Sequence, residues 1–142
     1  MNDYSDYFPG AFNAPSAEMA LDKVRKFDSG AVRDGDDGKY DYEGFLSPTV
    51  LAAFAEYMHG HRKLADGTYR ASDNWQAGIP LDAYAKSLVR HMFDFWLIRR
   101  NGEAIRPESG ESVSLKETLC AILFNAQGYL FELIREEQNA DM

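Results

Sequence analysis

The chain has 142 residues, 45% hydrophobic and 27% charged, enough for one domain with a packed core. Its formal net charge of −8 repels a nucleic-acid duplex, which sets aside a general DNA or RNA binder. Cys120 is the sole cysteine of the sequence, so an intrachain disulfide and a Cys-rich structural zinc site are both excluded.

Residues 1–16 mix Tyr, Phe, Asp, Pro and Gly without periodicity and read as an irregular arm. The start, "MNDYSDYFPG", has neither the basic nor the apolar region of a secretory signal, and no apolar stretch is long enough to span a bilayer, so a cytoplasmic protein is expected. Ser16 is placed to cap a short helix over about Ala17–Phe27. The segment "DSGAVRDGDDGKYDYEG" reads as a loop. Ser47-Pro48 then starts a helix expected to reach Arg62, with Leu51, Phe54, Ala55 and Met58 as its apolar stripe and Glu56, His59 and Lys63 on another face. His59 and His61 are two apart, a poor ligand pair on a helix.

"KLADGTYRASDNWQAGIP" is a loop with turns at Asp66-Gly67 and Gly78. A central helix is expected over about Leu81–Arg99, followed by the loop "NGEAIRPESGESVS". Ser114, with Glu117 three residues on, caps a last helix running to about Glu137. Cys120 lies in the apolar run "LCAILF" and is expected to be a buried, inert thiol. Strand signals are weak, so the fold class is all-α: a bundle of three main helices plus a shorter N-terminal one. The central and last helices are apolar over too wide an arc for a small monomer, which predicts a homo-oligomer, dimer or tetramer.

Four polar residues interrupt the central helix. Ser87, Arg90, His91 and Asp94 recur at spacings of three and four and share a side. The last helix carries Asn125, Gly128 and Glu132 in a similar strip. If the strips face each other they form a polar pocket inside the bundle, with Gly128 leaving room for a ligand and Glu56 adding a wall. Glu56, Asp94 and Glu132 would supply oxygens suited to Mg²⁺ or Mn²⁺. The plainer reading is an Arg90–Asp94 ion pair, a satisfied core histidine at position 91 and an interhelical hydrogen bond at Asn125. Burying several polar groups is costly unless they satisfy one another or a ligand.

The loops supply cations at Lys39, Lys63 and Arg70. Each alone is ordinarily a solvated surface charge. Trp75, between polar residues, reads first as a packing anchor and second as a stacking platform. No P-loop, nucleophile elbow or H-E-x-x-H motif competes.

The ordered elements "GAVRDGDDGKYDYEGFLSP", "EYMHGHRK", "DNWQAGIPLDAYAKSLVRHMFD" and "LCAILFNAQGYL" resemble phage-encoded MazG-like dATP/dGTP diphosphohydrolases over about residues 29–135. The matching pieces are Gly38-Lys39, Lys63, Asn74-Trp75 with Gly78, Arg90-His91 and Asn125. Residues 1–28 read as an arm and short helix, and the resemblance implies a MazG-like helical nucleotide-binding domain over 29–138. It implies an oligomeric Mg²⁺-dependent pyrophosphohydrolase in the cytoplasm (the host's, for a phage protein). The substrate would be a (deoxy)purine nucleoside triphosphate, giving the monophosphate and pyrophosphate. Glu56, His91 and Asp94 would be catalytic, Glu56, Asp94 and Glu132 would hold the metal, and Lys39, Lys63, Arg70, Asn74, Trp75, Arg90 and Asn125 would hold the nucleotide. The wider superfamily uses E-x-x-E and E-x-x-D pairs for metal, whereas this chain offers Glu56-x-x-His59 and His91-x-x-Asp94. A catalytically weak binder that sequesters a (signalling) nucleotide is therefore the alternative, and a structural interaction module the third reading.

Overall fold

The computed structural model describes residues 24–142, so the expected arm, the Ser16 cap and residues 17–23 of the short helix lie outside the described residues. The chain divides after Leu46 into two compact units. In the first, strands β1 (Val24–Lys26) and β2 (Val32–Asp34) pair antiparallel, Val24 opposite Asp34. The helix expected to reach Phe27 is thus corrected to a strand over Val24–Lys26. The turn between them uses Gly30 at φ 87°, a left-handed conformation open to glycine. Arg25 Nη1 bonds Asp36 Oδ2 at 2.6 Å. One helical turn, α1 (Tyr42–Phe45), follows, capped by Asp41, whose Oδ1 accepts from Gly44 N at 2.9 Å.

The second unit holds the long helices. Helix α2 (Pro48–Gly60) starts as its sequence dictates: Ser47 Oγ accepts from Val50 N at 3.3 Å, and Pro48 fills a position whose N–H would go unpaired. It stops at Gly60, before the expected Arg62. A small hairpin follows, in which Arg70 N donates to Arg62 O at 3.0 Å, Lys63 bridges Tyr69, and Asp66 closes the turn by accepting from Thr68 N at 2.9 Å. The 3-10 turn Asn74–Ala77 leads into α3 (Leu81–Asn101), which Gly102 ends in the left-handed conformation. Strands β3 (Ala104–Ile105) and β4 (Ser112–Val113) form a second hairpin before α4 (Leu115–Ala140), where Ser114 Oγ accepts from Glu117 N at 3.1 Å.

The fold is mostly helical, but the strictly all-α expectation is corrected by these two small sheets. Strands of two or three residues are too short to show alternation in sequence.

Helices α3 and α4 form the main packed pair, and α2 and the 3-10 turn lie against α4. Tyr84, near the start of α3, meets Gly128, past the middle of α4, while the hairpin joins the opposite ends. The pair therefore runs antiparallel. The core is narrow: Tyr84, Thr118, Cys120, Ala121, Asn125, Gly128 and Glu132, with Ala104 and Val113 of the hairpin. On α4 the buried positions 118, 121, 125, 128 and 132 follow the helical repeat, yet the side chains there are small or polar. Leu119, Leu123, Leu130 and Ile134 are exposed. No described helix is long and apolar enough to cross a membrane.

Candidate functional site

A cavity of about 420 Å³ opens where the end of α2, the hairpin after it and the 3-10 turn converge on α4. Its polar wall is His59, His61, Arg62, Arg70, Ser72 and Asn74; its apolar wall includes Tyr57, Trp75 and Phe124. Local bonds fix several of these. Arg62 Nε donates to Arg70 O at 2.9 Å, locking the two arginines across the hairpin. The His61 ring packs on Tyr57 with centroids 4.1 Å apart. Its Nδ1 lies 2.8 Å from Tyr57 O; a carbonyl only accepts, so Nδ1 donates. Burial, above all, raises the Tyr57 phenol pKa.

Three residues expected to bind nucleotide, Arg70, Asn74 and Trp75, are brought together here. His59, His61 and Arg62 join them although the sequence reading set the histidine pair aside. That reading assumed a helix through Arg62; ending the helix at Gly60 turns His61 out of the helical repeat, and both rings line the cavity. The glycine at position 60 was the signal for that stop. The same early end removes Lys63 from the helical face expected to carry Glu56 and His59, and Lys63 does not line the cavity. Trp75 also packs edge-on against Phe131, centroids 5.0 Å apart, as an anchor would. Lys39 belongs to the first unit, where its N–H donates to Asp36 O at 3.0 Å.

The polar strip of α3 divides. Arg90 is exposed, and its Nη2 donates to Ser87 Oγ at 2.8 Å, in place of the Asp94 pairing considered from sequence. Asp94 instead has Oδ2 3.4 Å from His91 Nδ1, and both side chains are four-fifths buried. That contact lacks hydrogen-bond geometry, which leaves His91 Nδ1 buried without a hydrogen-bond partner. Burial, as the largest influence, lowers the His91 pKa below the ordinary 6.5 despite Asp94. Asn125 is buried, and its Nδ2 donates to Ala121 O of its own helix at 2.8 Å. Neither Arg90 nor Asn125 lines the cavity.

The strip on α4 is corrected in one respect. A methyl group at Gly128 would overlap the Tyr84 ring, so the glycine makes room for a side chain of this protein and not for a ligand. Glu132 is also committed: Oε2 pairs with Arg135 Nη2 at 2.7 Å, and the side chain is 8% exposed.

The proposed Mg²⁺ ligands do not converge. Glu56 is exposed and lies 3.7 Å from Lys116 Nζ, Asp94 faces His91, and Glu132 pairs with Arg135. Among the described residues no three His, Cys, Asp or Glu side chains gather to hold a metal ion. Within one chain these carboxylates, each turned to a different partner, do not fit a shared Mg²⁺.

A second, more open concavity of about 780 Å³ lies along α3 between Val89, Met92, Phe93 and Trp96, with Arg99 and Arg100 also lining it. It contains none of the expected site residues, and its apolar lining suits packing better than chemistry. Comparisons with protein-family models, curated proteins and solved structures give no match.

Proposed function

We propose that the chain binds a purine nucleotide in the cavity between α2, the 62–70 hairpin and the Asn74–Ala77 turn. One observation carries this reading: Asn74 and Trp75 of the N-W-x-x-G piece and the loop cation Arg70 share one cavity with Arg62, His59 and His61 at the end of α2. Guanidinium groups suit phosphate oxygens, and an aromatic wall suits a base. The excess negative charge of the chain makes such a local cationic cluster necessary for an anionic ligand. The cavity volume also falls in the range of small-molecule sites.

Hydrolysis of a (deoxy)purine nucleoside triphosphate is the second reading. It is favoured by the resemblance to MazG-like enzymes and by His91, whose largely buried ring beside Asp94 has an unmet hydrogen bond. Calorimetric titration with dATP and dGTP, with and without Mg²⁺, tests binding. Release of monophosphate and pyrophosphate in the same mixtures tests turnover. Binding without turnover is the expected result, with Arg70→Ala weakening a triphosphate more than the nucleoside. Turnover lost on Asp94→Ala would favour the enzyme, and absence of both would sink the nucleotide reading.

We infer further that the chain is a homo-oligomer, a dimer or tetramer. The support is that α4 buries Thr118, Asn125 and Glu132 and α3 largely covers His91 and Asp94, while Leu119, Leu123, Leu130, Val89, Met92, Phe93 and Trp96 are exposed.

A further inference from the structure

The 3-10 turn Asn74–Ala77 has no side-chain cap, and the carbonyls of so short a turn lack helical partners. Two of them are taken up by residues of the long helices. Trp75 O accepts from Tyr84 Oη at 3.4 Å, and Gln76 O accepts from Arg135 Nη1 at 3.1 Å. The other terminal nitrogen of Arg135, Nη2, meets Glu132 Oε2 at 2.7 Å. A Cβ at Gly78, just past the turn, would stand 3.3 Å from that same nitrogen; with φ at 118°, position 78 favours glycine on both counts. The guanidinium also lies over the Phe131 ring, which is the ring that Trp75 packs against. Glu132 is therefore buried for a reason: it holds one terminal nitrogen of a guanidinium whose other terminal nitrogen donates to the backbone of a turn.

We propose that Glu132, Arg135 and Tyr84 form a latch that holds the Trp75 turn in place as one wall of the cavity. They are positioning residues and do not themselves line the cavity. The consequence for affinity rests on the nucleotide reading above; the holding of the turn does not. Burying a carboxylate that leaves one oxygen, Oε1, without a hydrogen bond costs stability. That cost is understandable where the group fixes a binding loop, since a loop ordered beforehand does not lose its freedom on binding.

The chain has two tryptophans, so Trp96→Phe leaves Trp75 as a single reporter. In that background, Arg135→Met should raise acrylamide quenching of Trp75, keep the helical circular dichroism, and weaken dATP binding by about tenfold. Glu132→Gln keeps an acceptor for Arg135 and should stay closer to the parent in both readings. Ser114→Ala, a cap loss remote from the turn, should lower stability without changing the quenching. Unchanged quenching in Arg135→Met would overturn the latch. Raised quenching with unaltered dATP affinity would overturn its role in positioning the nucleotide wall. Should the parent bind no dATP while Arg135→Met still raises quenching, the nucleotide reading falls and the latch on the turn stands. If Arg135→Met fails to fold, Tyr84→Phe, which removes only the hydroxyl bond to Trp75 O, is judged by the same criteria.

Discussion

A methyl group added at Gly128 would run into a Tyr84 ring that is only 1% exposed and cannot swing into solvent. Alanine ordinarily stabilises a helix interior by up to about 1 kcal/mol over glycine. Overpacking a closed site costs about 1–3 kcal/mol, so the clash should win. Gly128→Ala is expected to lower the urea midpoint by an amount worth about 1 kcal/mol or more; a more stable variant would show that Tyr84 does not occupy this position. His91 gives a second prediction, in pH. Its folded pKa lies below 6.5 because burial disfavours the charged ring. As pH falls through 6.5 the unfolded chain takes up the proton first, so stability declines until the folded pKa is reached. Above 6.5 the ring is neutral in both states and contributes no slope. His91→Gln should therefore flatten the stability profile just below pH 6.5, and an identical slope in the variant would mean that the ring is not held neutral by burial.

The starts of the three long helices are local events, and they were legible, whereas the single turn α1, capped by Asp41, lies in a segment that reads as a loop. Ser47 and Ser114 sit one residue before an apolar repeat, and each hydroxyl accepts from a backbone N–H three residues on. Ser114→Ala should cost about 1 kcal/mol of stability, with the loss read from denaturant unfolding. The polar strips were also legible by spacing, and so was the apolar excess of the two long helices. The hairpins were not, because Val24–Lys26 and Ala104–Ile105 are set by the turns they flank and not by any alternation of their own. The site was half legible. Arg70, Asn74 and Trp75 could be suspected from their loop, but placing the helix end at Arg62 instead of Gly60 hid His59 and His61. The role of Glu132 was hidden for a different reason. Its spacing to Arg135 is visible in sequence, but only the approach of the Asn74–Ala77 turn, almost sixty residues away, gives that pair its purpose.

At the scale of the whole molecule the decisive feature is which way the long helices face. On α4, Thr118, Asn125 and Glu132 are buried while Leu119, Leu123, Leu130 and Ile134 are exposed. On α3, His91 and Asp94 are largely covered while Val89, Met92, Phe93 and Trp96 are exposed. Fully burying a Leu, Val, Phe or Met side chain is worth about 1.5–3 kcal/mol, so two such faces in water forgo a large share of the available stabilisation. A second copy would recover it, and in a two-fold assembly every contact made by one face would be made twice. The proposed oligomer should scatter light at micromolar concentration as a multiple of the 16.0 kDa chain. Trp96→Glu should reduce that mass if the α3 face is the contact, and Leu123→Glu should do so if it is the α4 face, because each buries an unpaired charge against apolar neighbours. Helical circular dichroism should persist in both variants, since neither side chain belongs to the Tyr84–Gly128 contact that joins the two helices. A parent protein that scatters as a single 16.0 kDa chain at micromolar concentration would sink the proposal, and the exposed leucines would then require a different partner.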